Sequence, residues 1–324
     1  MDTDHQLIVR IKSFLNSTEL IDSQTAQELY TAYCELNDNT AQRLVECEVL
    51  LQKKQKIEAV DLLLAIIKLL EDRMNADNDV LDVGVQMILL VEDSVRFYSS
   101  ILPHLYRFLL TQSKEFSTEA LNEHEQMLRM RGRPKVMLAR DYEEAMALYD
   151  KFGKNMLGVI SDVSFKRDGN KDSQAGIRFA KFLRTKDPFL PIIIESSETE
   201  NAHFVGEFDG IFLDKNSKKL PVDLGKAIMR NFGFGDFIMK DPTSGEEIIR
   251  IKSLKDMQDH IFEIPAEALH YHASSNDISR WLYSRAMFPI AEVIKHHRFD
   301  SLEEAPAVRQ LFFDLIVKYR KMKN

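Results

Sequence analysis

The sequence predicts an α/β protein built on a five-stranded, doubly wound parallel sheet. Three observations predict it. Short continuous apolar runs suit strands covered on both faces, helical segments alternate with them between residues 85 and 232, and the runs end in carboxylate, hydroxyl or ammonium groups. At 324 residues and 44% hydrophobic the chain is long enough for two or three domains. It divides by pattern into residues 1–80, 81–234 and 235–324.

The formal charge of −8 is concentrated in residues 1–80, which hold 15 acidic and 8 basic side chains. No segment is basic enough to predict a nucleic-acid surface. The longest uninterrupted apolar run, Leu62 to Ile67, is too short to cross a bilayer, and no charged leader precedes an apolar core, so a cytoplasmic protein without a membrane partner is expected. Cys34 and Cys47 have no metal-ligand spacing and read as buried thiols.

Residues 5–74 read as helix, with caps or breaks at Ser23, Asn39 to Thr40 and Lys53 to Lys56. The clearest segment is Ile57 to Met74, where Val60, Leu63, Leu64, Ile67, Leu70 and Met74 recur at helical spacing. Such a stripe suits a helical bundle or hairpin, or a partner-binding helix. The polar run Asn75 to Asp79 predicts a break and a domain boundary. The first strand is Val85 to Val91, followed by a helix marked by Phe97, Ile101, Leu105 and Leu109. Strands at Val136 to Ala139, Leu157 to Ser161, Pro191 to Glu195 and Gly210 to Leu213 alternate with helices at Tyr142 to Phe152, Gly176 to Arg184, around Glu200 to Phe208, and Pro221 to Phe232.

In an open parallel sheet, ligands sit beyond the carboxyl ends of the strands. The first strand delivers Glu92 and Asp93, the third Asp162, the fourth Ser196 and the fifth Lys215. Three carboxylates repel one another unless a cation joins them, and an oxygen-rich acidic cluster suits magnesium. A hydroxyl and an ammonium at the same edge complete a site for a phosphoryl group. The structural alternative is that such carboxylates are solvated loop residues or caps, with Asp93-Ser94 capping the next helix.

The four segments VEDS, VISDVS, PIIIESS and IFLDKN, each at the matching strand end and in matching order, resemble the receiver domain of two-component response regulators over residues 85–232. The resemblance implies a flavodoxin-like fold in which Asp162 accepts a phosphoryl group from the phosphohistidine of a histidine kinase or phosphotransfer protein. It implies that Glu92, Asp93, Asp162 and the backbone carbonyl of Ser164 hold Mg2+, and that Ser196 and Lys215 meet the phosphoryl group. Phe212 takes the place of the switch aromatic, or packs as a core aromatic. The chain departs from the family in its long segment between Asp162 and Gly176, in the extra residues between Thr111 and Arg133, in Asn216 where a proline is usual, and in a short helix between Ser196 and Lys215.

Beyond Phe232, Phe237 to Lys240 and Glu247 to Lys252 flank a loop at Asp241 to Gly245 and predict a β-hairpin. Helices are expected at Leu254 to Phe262, Ala266 to His272, Asp277 to Arg285, Ile290 to His296 and Leu302 to Met322. Ser275, Asn276 and Ser301 are expected as caps, and Pro265, Pro289 and Pro306 near helix starts. His270 and His272 diverge on a helix, as do His296 and His297, so no metal site is expected there. Trp281 is expected in a core with Arg280 and Arg285 at the surface. The stretches FGFGDFIMKDPTSGEEIIRIK, YHASSNDISRWLYSRAMFPIAEVIK and LFFDLIVKYRKMKN resemble the region that joins a receiver to a phosphoenolpyruvate synthase or pyruvate phosphate dikinase-like enzyme. No catalytic or nucleotide-binding motif accompanies them. The expectation is a magnesium-dependent phosphoacceptor switch that regulates a partner or an attached catalytic domain, with a homodimer compatible with it. The alternatives are a receiver-like scaffold that takes no phosphate, and a DNA-binding regulator.

Overall fold

The computed structural model describes residues 56–118, 126, 129–297 and 300–321. Cys34, Cys47 and the expected helix breaks before Lys56 lie outside them, as does most of the segment from Glu119 to Leu128. The chain divides into two compact units, one running to Met74 and including Ser94–Arg107, the other formed by Asn75–Asp93 and Phe108–Asn324.

In the first unit, helix α1 (Lys56–Ala76) and the leading part of helix α2 (Val95–Thr118) share a buried polar contact, where the Tyr106 hydroxyl donates to Asp72 over 2.9 Å. Arg107 also pairs with Asp61. The polar run Asn75 to Asp79 does not break the chain as expected. Helix α1 continues through Ala76 into a π-helical turn at Asp77–Asp82. Ion pairs from Lys151 to Asp77 (2.5 Å) and from Lys135 to Asp79 (2.6 Å) hold that turn, and Val80 is buried at its centre.

The second unit is α/β, with a parallel five-stranded sheet in the order β2-β1-β3-β6-β7. The strands are β1 (Met87–Val91), β2 (Lys135–Ala139), β3 (Met156–Asp162), β6 (Ile192–Ser196) and β7 (Ile211–Asp214). Every residue of β1, β2 and β6 is buried, which explains why their apolar stretches run on without alternation. Met87, Leu89 and Val91 point into one core with Phe152 of helix α3 (Tyr142–Phe152) and with Phe179 and Leu183 of helix α4 (Ala175–Lys186). Helix α5 (Leu220–Asn231) follows β7 and buries Leu224, Ala227 and Ile228. The short helix expected around Glu200 to Phe208, between β6 and β7, is a 3-10 helix over Thr199–Glu207.

Between β3 and α4 the long segment is not a plain loop. It forms a hairpin of β4 (Phe165–Arg167) and β5 (Asn170–Asp172), closed by Asp168 (φ 51°) and Gly169 (φ 76°). Positive φ at both central residues is the geometry that Asp-Gly supplies to a two-residue turn.

The remainder of the unit starts with the expected hairpin, β8 (Phe237–Lys240) and β9 (Glu247–Ile251). Helices α6 (Leu254–His260), α7 (Ala266–Ser274), α8 (Asp277–Ser284), α9 (Phe288–His296) and α10 (Ala305–Lys321) follow. Ser301 caps a 3-10 turn through Glu303, but Asn276, at φ 60°, makes no side-chain cap. Trp281 is buried as expected, and its indole N–H donates to the carbonyl of Gly235 over 3.1 Å. Arg285 overturns the expectation of a surface arginine. It is buried, its guanidinium donates to the carbonyls of Gly233 (2.9 Å) and Gly235 (2.9 Å), and it lies over the rings of Trp281 and Phe116. His272 is also structural: its Nδ1 lies 2.8 Å from Asp277 and its Nε2 accepts from the Lys240 amide. Among the described residues, no helix is long and apolar enough to cross a membrane.

Candidate functional site

The carboxyl ends of β1, β3, β6 and β7 meet at one edge of the sheet. Glu92 and Asp93 follow β1, and the Glu92 amide donates to the carbonyl of Ala139, which fixes the turn out of the strand. Asp162 ends β3, where its carboxylate accepts from the Val163 amide over 2.7 Å. One oxygen from each of Glu92, Asp93 and Asp162 lies within 4.8 Å of the others, the only such grouping of metal-ligating side chains among the described residues.

Lys215 reaches into this group from the end of β7. Its Nζ is 2.5 Å from Oε2 of Glu92 and 3.0 Å from Oδ1 of Asp162, and the side chains of Lys215 and Glu92 are each 1% exposed. Burial acts to lower the pKa of this ammonium, but the carboxylates of Glu92 and Asp162 outweigh it and hold it above the ordinary lysine value. Lys215 therefore stays charged and neutralises part of the acidic cluster.

Ser196 ends β6. Its hydroxyl oxygen accepts from the Glu198 amide (3.1 Å) and from Nδ2 of Asn201 (2.9 Å), and its carbonyl accepts from the Lys215 amide. Asn216, which stands where the resemblance would put a proline, donates from its side-chain amide to the carbonyl of Ser197 and so ties the loops after β6 and β7 together. Phe212 lies in β7 opposite Ile194, half-buried and packed against the core that α3 and α4 cover.

Three further residues belong to this edge and were not singled out from sequence. Gly176 opens α4 against the backbone of the acidic strand. Its amide donates to the carbonyl of Val163, and a Cβ at this position would stand 1.9 Å from the carbonyl oxygen of Asp162. Glycine is what allows the helix to start there. Glu195 lies beside Asp162 in the β3–β6 ladder, 1% exposed, with neither carboxylate oxygen hydrogen-bonded. Burial pushes its pKa up to about 8, against the opposing charge of Lys215, so at neutral pH it is a neutral acid among charged neighbours.

The third is Lys171, on strand β5. Its Nζ donates to the carbonyl of Ser164 over 2.6 Å and to Oδ2 of Asp93 over 3.1 Å. The Asp168-Gly169 turn was the available signal for the hairpin that carries it, although the flanking residues are charged rather than alternately apolar.

The donor set is all oxygen, three carboxylates with the Ser164 carbonyl sharing the Lys171 ammonium with Asp93, which is the chemistry that hard divalent cations such as Mg2+ require. An ammonium already seated on two of these oxygens reports the same preference for positive charge. No family model, curated protein or solved structure matches this chain.

Proposed function

We propose that the second unit is a receiver-type phosphoacceptor switch, phosphorylated on Asp162. The observation that carries this reading is the meeting of Glu92, Asp93, Asp162 and Lys215 at the carboxyl edge of a parallel sheet. The strand order is that of flavodoxin-like sheets, whose ligands sit at this edge, and it supports the finer reading of the fold as a receiver flanked by helical modules.

In the proposed reaction an oxygen of the Asp162 carboxylate attacks the phosphorus of a phosphohistidine. A P–O bond forms, the P–N bond breaks, and the imidazole leaves with the electron pair and takes up a proton. The donor would be a histidine kinase or a phosphotransfer protein. Mg2+ held by Glu92, Asp93, Asp162 and the Ser164 carbonyl would supply positive charge for the phosphoryl oxygens. Lys215, kept cationic by its neighbours, is placed to hold a further phosphoryl oxygen. The Ser196 hydroxyl retains its hydrogen to donate to another, because both of its protein contacts at Oγ are accepted bonds.

The state of Asp162 would pass to residues 233–324, which read as a connector to a partner or to a phosphoenolpyruvate synthase-like catalytic domain. Incubation with Mg2+ and acetyl phosphate is expected to add the mass of one phosphoryl group to the intact protein, and Asp162→Asn to prevent it. An unchanged mass, beside control receivers that do gain it, would overturn the reading. A second reading, a receiver-like scaffold that takes no phosphate, is favoured by the ammonium of Lys171 on the expected metal ligands. The same measurement separates the two.

A further inference from the structure

We propose that Lys171 is a built-in counter-cation of the acidic cluster, and that a divalent metal enters the site by displacing it. The inference rests on the reading of this edge as a magnesium-dependent receiver site. Two of the oxygens expected to ligate the metal, the Ser164 carbonyl and Oδ2 of Asp93, are the two that accept hydrogen bonds from the Lys171 ammonium. A divalent cation on the Ser164 carbonyl and the Asp93 carboxylate competes with the Lys171 ammonium for their lone pairs, and two cations at that separation repel each other.

The two lysines of the site differ in the way displacement requires. Lys215 is 1% exposed and held by two carboxylates, so it has nowhere to go. The Lys171 side chain is 58% exposed and reaches the cluster from the solvent side, so its ammonium can return to water at little desolvation cost. Charge balance favours the exchange. Three carboxylates facing two ammoniums leave one negative charge, whereas Mg2+ with Lys215 alone leaves none.

The hairpin that carries Lys171 is secured elsewhere, so the exchange needs the lysine side chain and not the hairpin to come away. Phe165 is fully buried at its base. The amide of Asp168 donates to Glu143 over 3.0 Å at its tip, and Arg178 pairs with Asp172 over 3.1 Å. Metal occupancy would thus be signalled to the rim of the site, where a phosphodonor must approach, by the release of one positive charge from the cluster to the surface.

The test is calorimetric titration of the whole chain with MgCl2, and separately with MnCl2. Lys171→Met is expected to bind each metal at least tenfold more tightly than the parent, while Lys166→Met, on the opposite hairpin strand, leaves the affinity unchanged. Lys171→Gln should behave as Lys171→Met does, which guards against an effect peculiar to one replacement. In proton–nitrogen correlation spectra, Mg2+ should shift the backbone amides of Lys171 and Asp172 in the parent more than in Lys171→Met. Unchanged or weaker metal binding in both Lys171 variants, or no binding by any of the proteins, would overturn the inference. Phosphoryl uptake is scored separately by mass. Tightened metal binding without uptake would remove the phosphoacceptor reading alone, and uptake with unaltered affinity would remove the displacement alone.

Discussion

The ring of Phe232 fills the space above Gly158, so that a Cβ on Gly158 would lie 2.3 Å from its Cζ and 2.4 Å from its Cε1. Gly158 is on β3, the strand that ends in Asp162, and Phe232 is the residue at which α5 ends and the connection to the last hairpin begins. The strand that carries the candidate phosphoacceptor thus touches the residue that leads into the C-terminal module. Gly158→Ala is expected to force that ring aside and cost about 1–3 kcal/mol of stability, measured by denaturant unfolding. In the double variant with Phe232→Leu the two losses should be clearly less than additive, because the smaller side chain makes room for the new methyl group.

Glu195 makes the stability of this unit fall with rising pH. Its folded-state pKa is raised from 4.5 to about 8. Below pH 4.5 the carboxyl is protonated in both folded and unfolded chains and contributes no difference. Between these values the unfolded chain loses the proton and the folded one keeps it, so stability declines until about pH 8, where the loss is complete. Glu195→Met is expected to flatten this slope and to raise stability at pH 8 by a few kcal/mol, on the order of what such a shift represents. Melting curves from pH 5 to pH 9 would check it, and parallel slopes for the two proteins would contradict it.

Lys215 and Glu92 should act as a unit. Lys215→Met leaves the Glu92 charge buried without the ammonium that meets it, and the expected cost is about 3–5 kcal/mol. Adding Glu92→Gln removes that charge and should recover a substantial part of the loss. Guanidinium unfolding of the single and double variants measures the coupling, and simple additivity would show that the pair does not hold this edge together.

The parts of this architecture that were legible in the sequence are those set by local pattern. The run MILLV reads as a strand covered on both faces because it is one, and Glu92, Asp162, Ser196 and Lys215 stand where apolar runs stop. What escaped notice depends on partners distant in sequence. The turn over Asp77–Asp82 is paired with Lys135 and Lys151, partners that no reading of the polar run itself could supply. Glu195 looks like any polar residue at the end of a strand, but it lies between β3 and β7 and is buried. Lys171 sits on the acidic cluster because a two-residue turn folds its strand back, and a charged segment with no apolar alternation hid that hairpin. The burial of Arg285 likewise has no local signature: the carbonyls that receive its guanidinium lie some fifty residues earlier in the chain.

That arginine clamp carries the last prediction. Gly233 has φ 81°, and a Cβ there would come within 2.9 Å of the backbone of Arg280 and Trp281, so the chain leaving α5 runs against helix α8 with no room between them. Arg285 closes the contact from the other side, with donors to the carbonyls of Gly233, Gly235 and Trp281. A lysine has the charge but not the planar fork, and cannot meet separate carbonyls while packing against two rings. Arg285→Lys is therefore expected to cost about 2–3 kcal/mol, most of it from buried acceptors left unmet. Trp281 is the only tryptophan in the chain and lies beneath the guanidinium, so its fluorescence reports the clamp directly. The variant should shift its emission to longer wavelength at denaturant concentrations where the parent is still native. Because Glu92, Asp93, Asp162 and Lys215 form no part of the clamp, the metal binding proposed for that edge should be preserved. A loss of metal binding in parallel with the fluorescence change would mean that the clamp and the acidic edge unfold together.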